Sequence, residues 1–265
     1  MSDNPPSPHP PNDPGALLRW VQSRTPARLL VGRAGPAYRT ATQLELRRDH
    51  AAAADAVRAE LDLEADLGRE LVESQHLFEV RSHARDKSEY LLRPDLGRRL
   101  DPMGAAEVKR CCPTHADLQI VIGDGLSVAA VRRQVPVLLP LLIDGARERG
   151  WSAGQTFVIR HCRVGIVNEI GDLLQPVVVA LLIGERPGLA TAESLSAYLA
   201  HRPRAGDSDA RRNLISNIHE RGVPLEQAAQ RILRLAEKMR QMGKSGVEVK
   251  EELEIEKRPL RHWQP

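Results

Sequence analysis

Aromatic side chains are scarce in this 265-residue chain: two phenylalanines, three tyrosines and three tryptophans, 3% of the total. A surface that stacks nucleobases needs more of them, so single-stranded nucleic acid is a poor partner. The net charge of +3 is too small to hold a polyanion by itself. Cysteine is also sparse. Cys111, Cys112 and Cys162 make neither an even-numbered disulfide framework nor a zinc spacing, so they read as reduced thiols. No apolar run approaches a bilayer span, the longest being Val135–Ile143 and Val177–Ile183. The opening MSDNPPSPHPPNDP lacks the apolar core of a signal peptide or anchor. Its six prolines predict a disordered tail over residues 1–14.

Catalytic signatures are missing as well. There is no GxxxxGK[ST] loop for phosphates, no HExxH for zinc and no Gly-x-Ser-x-Gly elbow for a hydrolase. Gly123-x-Gly125 lacks the third glycine of the dinucleotide fingerprint, since Val128 holds that place. The acid expected about twenty residues on would be Asp144, inside a helical pattern rather than at a strand end. His219, alone after a strand, reads as a structural histidine. No catalytic residue and no metal ligand is expected from this chain.

What is present is an ordinary globular composition, 42% apolar and 28% charged. Residues 15–110 read as a small helical N-terminal domain, with Ala16, Leu17, Trp20 and Val21 at helical spacing and a broken stretch at Gly32–Thr40. Residues 111–250 read as alternating strands and helices, and 251–265 as a tail. Strands are expected at Leu118–Ile122, Thr156–Arg160, Val177–Ile183 and Asn213–Ile218. Ser127 is placed to cap one helix and Gly150 to end another. The last helix shows one apolar face, from Leu225 to Met239.

Val177–Ile183 is apolar throughout, which predicts a strand covered on both faces. A polar loop, Gly184-Glu185-Arg186-Pro187-Gly188, follows, and a helix is expected to open near Thr191. The fold class is therefore α/β, a Rossmann-like parallel sheet with helices on both faces, preceded by the helical domain. In such a sheet the loops after the strands converge on one crevice. The basic segment Arg81–Arg99, six Arg/Lys against three Asp/Glu, divides between a solvated face and a docking surface for an acidic partner or anion. A crevice without nucleophile, metal or acid–base pair points to a binding subunit, its chemistry supplied by a cofactor or another chain.

Several blocks then carry a resemblance: GRAGPAYRT (32–40), EVRSHARDKSEYLLRPDLGRRL (79–100), DLQIVIGDGLS (117–127), GERPGLATAESLSAY (184–198) and ISNIHERG (215–222). In this order and spacing the chain resembles the small (light) subunit of ethanolamine ammonia-lyase, from about residue 25 to about residue 250. The resemblance implies an adenosylcobalamin enzyme that converts ethanolamine to acetaldehyde and ammonia by a radical route. It implies a large barrel subunit as partner, in a ring of six large and six small chains. It also implies a cytoplasmic setting, in many members within a bacterial microcompartment. The family's cobalamin contacts fall on Val164, beside Arg163, and on Glu185. A third falls on Leu214, where better-known members carry cysteine; a backbone contact survives that exchange. None of the nine histidines sits in an Asp-x-His-x-x-Gly motif, so the coenzyme is expected to keep its own base on cobalt. A lone NAD-binding protein and a purely structural subunit are the rival readings.

Overall fold

A computed structural model describes residues 10–23, 29, 31–188 and 190–251. Most of the two expected tails, 1–9 and 252–265, lies outside the described residues. The chain runs from helix α1 (Pro14–Gln22) through a minimal hairpin, β1 (Arg33–Ala34) and β2 (Ala37–Tyr38), into helix α2 (Thr40–Arg58). Short helices α3 (Leu63–Leu67) and α4 (Arg69–Ser74) lead to strand β3 (Phe78–Arg81), then to α5 (Lys87–Leu92) and α6 (Pro102–Cys111). The remainder is β4 (Leu118–Gly123), α7 (Val128–Glu148), β5 (Phe157–Arg160), α8 (Val167–Leu174), β6 (Val178–Gly184), β7 (Leu195–His201), β8 (Asn213–Ile218) and α9 (Leu225–Met242).

The architecture is mixed α/β. Six strands form one sheet in the order β3-β5-β4-β6-β7-β8. The first four are parallel, and β7 and β8 are added antiparallel. All seven residues of β6 are buried, as its unbroken apolar run requires. Each Val, Leu or Ile there contributes roughly 1.5–3 kcal/mol through burial, so this strand belongs at the centre. One core lies between the sheet and α7, α9 and α3, the other between the sheet and α6 and α8.

Three expectations are corrected. The helix expected near Thr191 is instead β7. Its Leu and Ala residues favour helix intrinsically, but Pro187 and Gly188 turn the chain and β7 pairs with β6 over seven residues. Ladder hydrogen bonds and burial on β6 outweigh propensity. Consequently the sheet is mixed rather than wholly parallel, and β8 arrives by a hairpin instead of a helical crossover. Finally, Phe78–Arg81, within the stretch read as helical, is an edge strand of the same sheet. The two helical pieces expected after Ser127 form one helix, α7, capped by the Ser127 hydroxyl accepting from Ala130 N (3.2 Å). Gly150 follows its end with φ +69°.

Two successive antiparallel pairings return β8 to the direction of β6. The loops after β4, β5, β6 and β8 therefore still open on one edge of the sheet, although the connections differ from those expected.

Candidate coenzyme crevice

At that carboxyl edge the loops after β4, β5 and β6 enclose a cavity of about 100 Å³. Arg163, Val164 and Glu185 line it, joined by Tyr90, Leu126, Ser196 and Tyr198. Three of the four residues expected from sequence thus share one wall. Leu214 does not line the cavity, but it is the register partner of Tyr198 across β7 and β8. Its side chain is 47% exposed, an apolar shoulder beside the opening.

The β6 loop is narrow because glycine makes it so. A Cβ on Gly184 would collide with the Ser127 carbonyl, and one on Gly125 with the Gly184 carbonyl. The chain beyond Gly184 therefore passes directly against the start of α7. Glu185 is held there by its own backbone and side chain. Its N–H donates to Ser194 O (3.0 Å). Its carboxylate accepts from Ser194 Oγ (2.8 Å), Ser196 Oγ (2.6 Å) and Asn217 N (3.0 Å). One half-buried carboxylate thus ties the ends of β6, β7 and β8 together.

The β5 loop is held from below. The Tyr90 hydroxyl donates to Cys162 O (2.8 Å) and Asp124 Oδ1 accepts from Cys162 N (2.9 Å). Asp124, fully buried, takes its counter-charge from Lys87 Nζ at 3.1 Å. The Arg163 guanidinium lies 4.2 Å from the Tyr90 ring centroid, within cation–π range. Its Nη2 donates to Tyr90 O (3.2 Å) and its N–H to Gly97 O (2.8 Å). Arg163 Nε is buried with no hydrogen-bond partner.

Burial raises the Tyr90 phenol well above its ordinary range, with the Asp124 charge adding to it, so the group stays a donor. Burial likewise raises the Tyr198 phenol, and Glu185 adds to that. The Cys162 thiol is pushed up by burial and by Asp124. These three raised groups, Tyr90, Tyr198 and Cys162, stay protonated near neutral pH.

Glu60, Asp124 and His161 bring ligand atoms within 4.8 Å of one another. Asp124, however, is already committed to Lys87 and Cys162 N. His161 faces Ala84 O through Nδ1 and Glu60 through Nε2, both at 3.1 Å. Two larger recesses lie apart, a 540 Å³ groove beside Arg98 and Arg212 and a 410 Å³ one beside Arg133 and His219. In the first, the acids are spent internally: Asp172 on Ala205 N, Asp209 on Arg212, Glu169 on Leu100 N. Asp144, the rival ribose ligand, sits within α7 and pairs with Arg147 at 2.8 Å. In the basic segment Arg85 pairs with Glu89 and Arg93 with Asp95 on the surface, while Lys87 turns inward.

Sequence reasoning missed Tyr90, Lys87, Asp124 and Tyr198. Lys87 and Tyr90 lay in view within the DKSEY stretch of a block quoted for its resemblance. Asp124 stands between Gly123 and Gly125 at a strand end, where the comparison with a dinucleotide fingerprint weighs only the glycines. Tyr198 was assigned to a helix that does not form.

A sequence profile of the ethanolamine ammonia-lyase light chain matches residues 16–250. The ethanolamine ammonia-lyase small subunit of Clostridium perfringens is 40% identical over 240 residues, covering 91% of this chain and 79% of that protein. That of Clostridioides difficile is 40% identical over 240 residues, covering 91% and 80%. That of Fusobacterium nucleatum is 40% identical over 227 residues, covering 86% and 75%.

Proposed function

Because the chain belongs to the ethanolamine ammonia-lyase light chain family, and so is the small subunit of a two-subunit lyase, we propose that its crevice forms one wall of an adenosylcobalamin site. The observation that supports this most is the meeting of Arg163, Val164 and Glu185 on a single cavity. The cavity's 100 Å³ is well below the roughly 300–1,000 Å³ of a complete small-molecule pocket. A half-site of that size suits a subunit that closes over the coenzyme against the large barrel chain. Residues 111–250 are read as the main part of a Rossmann-like coenzyme unit, to whose sheet and crevice β3 and α5 of the preceding, mostly helical 15–110 stretch contribute. We propose six chains of each subunit, converting ethanolamine to acetaldehyde and ammonia, in the cytoplasm and within a microcompartment where one is made. No helix among the described residues is long and apolar enough to cross a membrane.

The residues present fit the coenzyme's periphery. A corrin carries methyl groups and neutral amide arms, so its complement is an apolar wall with a few fixed donors and acceptors. Arg163 Nε is an orphaned buried donor, a match for an amide carbonyl. The Glu185 carboxylate spends one oxygen on Ser196 and Asn217 and the other on Ser194 alone, which leaves acceptor capacity for an amide N–H. Val164, Leu126 and Tyr198 supply the apolar wall, and Leu214 extends it through its backbone and exposed side chain. Bound adenosylcobalamin supplies radical chemistry through homolysis of its cobalt–carbon bond. This chain's residues bind and orient the coenzyme and keep water from its face; none of them moves a proton.

Reconstitution tests the reading. The large chain and this one together should retain cobalamin on dialysis, and Arg163→Ala or Glu185→Ala should weaken that retention more than it changes the KM for ethanolamine. A large chain that turned over ethanolamine at full rate without this subunit would overturn the proposal.

A further inference from the structure

The peptide between Cys162 and Arg163 enters the crevice ahead of Val164, and both polar groups of Cys162 are taken by side chains from elsewhere in the chain. Tyr90, from α5, holds the carbonyl at 2.8 Å. Asp124, from the end of β4, holds the N–H at 2.9 Å. These two are 0% exposed, so water does not compete for the bonds. Lys87, one turn before Tyr90 on α5, neutralises Asp124 and lies 5.2 Å from the Tyr90 ring centroid. Arg163 closes the ring of contacts by stacking on that same aromatic ring. Gly97 completes the seat: a Cβ there would stand 2.7 Å from His161 O, so only glycine lets the loop settle this deep.

We propose that Tyr90, Asp124 and Lys87 are positioning residues for the coenzyme wall, fixing the Cys162 peptide so that Arg163 and Val164 meet the cofactor in one preset conformation. The proposal rests on the coenzyme reading above and adds to it the buried groups which that reading leaves without a task. A loop held by two charge-assisted or buried hydrogen bonds loses little conformational freedom when ligand arrives. Freed from Tyr90, it must be ordered by the ligand, and affinity falls. A buried phenol, carboxylate and ammonium are also costly to keep for stability alone, since a well-packed apolar trio fills the same space as well.

The test is a double-mutant cycle on hydroxocobalamin affinity, measured by equilibrium dialysis with the assembled two-subunit protein. Tyr90→Phe removes one oxygen and is expected to raise Kd about tenfold, the worth of one buried hydrogen bond. Because Tyr90 acts through the loop, combining it with Val164→Ala should cost much less than the product of the two single effects. Combining it with Glu185→Gln, on the other loop, should give the product. If Tyr90→Phe does not assemble, the neutral pair Lys87→Met with Asp124→Asn takes its place in the same cycle. A Tyr90→Phe Kd within twofold of wild type, or full multiplicativity with Val164→Ala, overturns the positioning role, as a lowered Tm with unchanged affinity would. A wild-type assembly that does not bind hydroxocobalamin at all overturns the coenzyme reading itself.

Discussion

Replacing Glu185 separates two contributions that a contact list would merge. In Glu185→Ala the Ser194 and Ser196 hydroxyls and the Asn217 N–H lose their acceptor together. Both serines are buried, at 7% and 3% exposure, so each lost bond carries part of a desolvation cost of about 1–3 kcal/mol. Water entering the vacated half-buried space offsets some of it, and the net destabilisation is expected near 2–4 kcal/mol. Glu185→Gln keeps the shape. Its amide oxygen still accepts from Ser196 and Asn217, and its amide nitrogen donates to Ser194, whose hydroxyl reverses its role. Only the charge assistance goes, for a cost of about 1 kcal/mol. Urea denaturation of the purified chain measures both, and cobalamin retention by the assembled enzyme measures the functional side. The glutamine variant should recover most of the stability and only part of the affinity. Equal stabilities for the alanine, glutamine and wild-type chains would refute the carboxylate's role as the tie between the three strands.

Gly184→Ala places a Cβ against the Ser127 carbonyl, a backbone atom that cannot swing aside, and should destabilise the chain by more than about 2 kcal/mol in the same urea assay. Leu214→Cys introduces, at an exposed position, the residue expected there from the resemblance, and should leave cobalamin affinity within about twofold if the proposed contact is made by backbone; a larger change would assign it to the side chain. Burial pushes the Cys112 thiol up to about 12 and the Cys162 thiol well above its ordinary value. Both should resist alkylation at pH 8 while half-exposed Cys111 reacts first, as peptide mapping would report. Folded thiols with raised pKa hold protons that the unfolded chain releases near pH 9, so stability is intact below that pH and falls as pH climbs toward 12; a flat urea midpoint across that window would contradict the burial. Electron paramagnetic resonance of the cobalamin-loaded enzyme, with its protein labelled with nitrogen-15, should show no hyperfine coupling to a protein histidine.

Fold legibility followed how local each signal was. β6 was readable because seven consecutive buried residues need no partner information to announce a strand with two covered faces. α9 was readable because its apolar face recurs at helical spacing from Leu225 to Met239. β7 was not, because LSAYLAH is as good a helix as a strand until the free edge of β6 is known to lie beside it. β3 failed for the same reason: four residues at a sheet edge carry too little pattern to override the helical stretches around them. In each failure the deciding hydrogen bonds come from residues distant in the chain.

The crevice divides along the same line. Arg163, Val164 and Glu185 sit in loops that directly follow strands, and strand direction alone sends those loops to one edge; a wrong assignment for β7 could not move them. Tyr90 and Lys87 reach the crevice from α5, more than thirty residues before Asp124 and more than seventy before Cys162 in the case of Tyr90, and no local periodicity links them. Their signal was chemical instead. A lysine and a tyrosine three residues apart on one short helix, in a region with surplus cations, invite a search for a buried acid. Asp124, the acid at the end of a fully buried strand, answers it. Residues that line the crevice from strand-end loops are legible from topology, whereas those that hold these loops in place become legible only when each buried charge is asked for its partner.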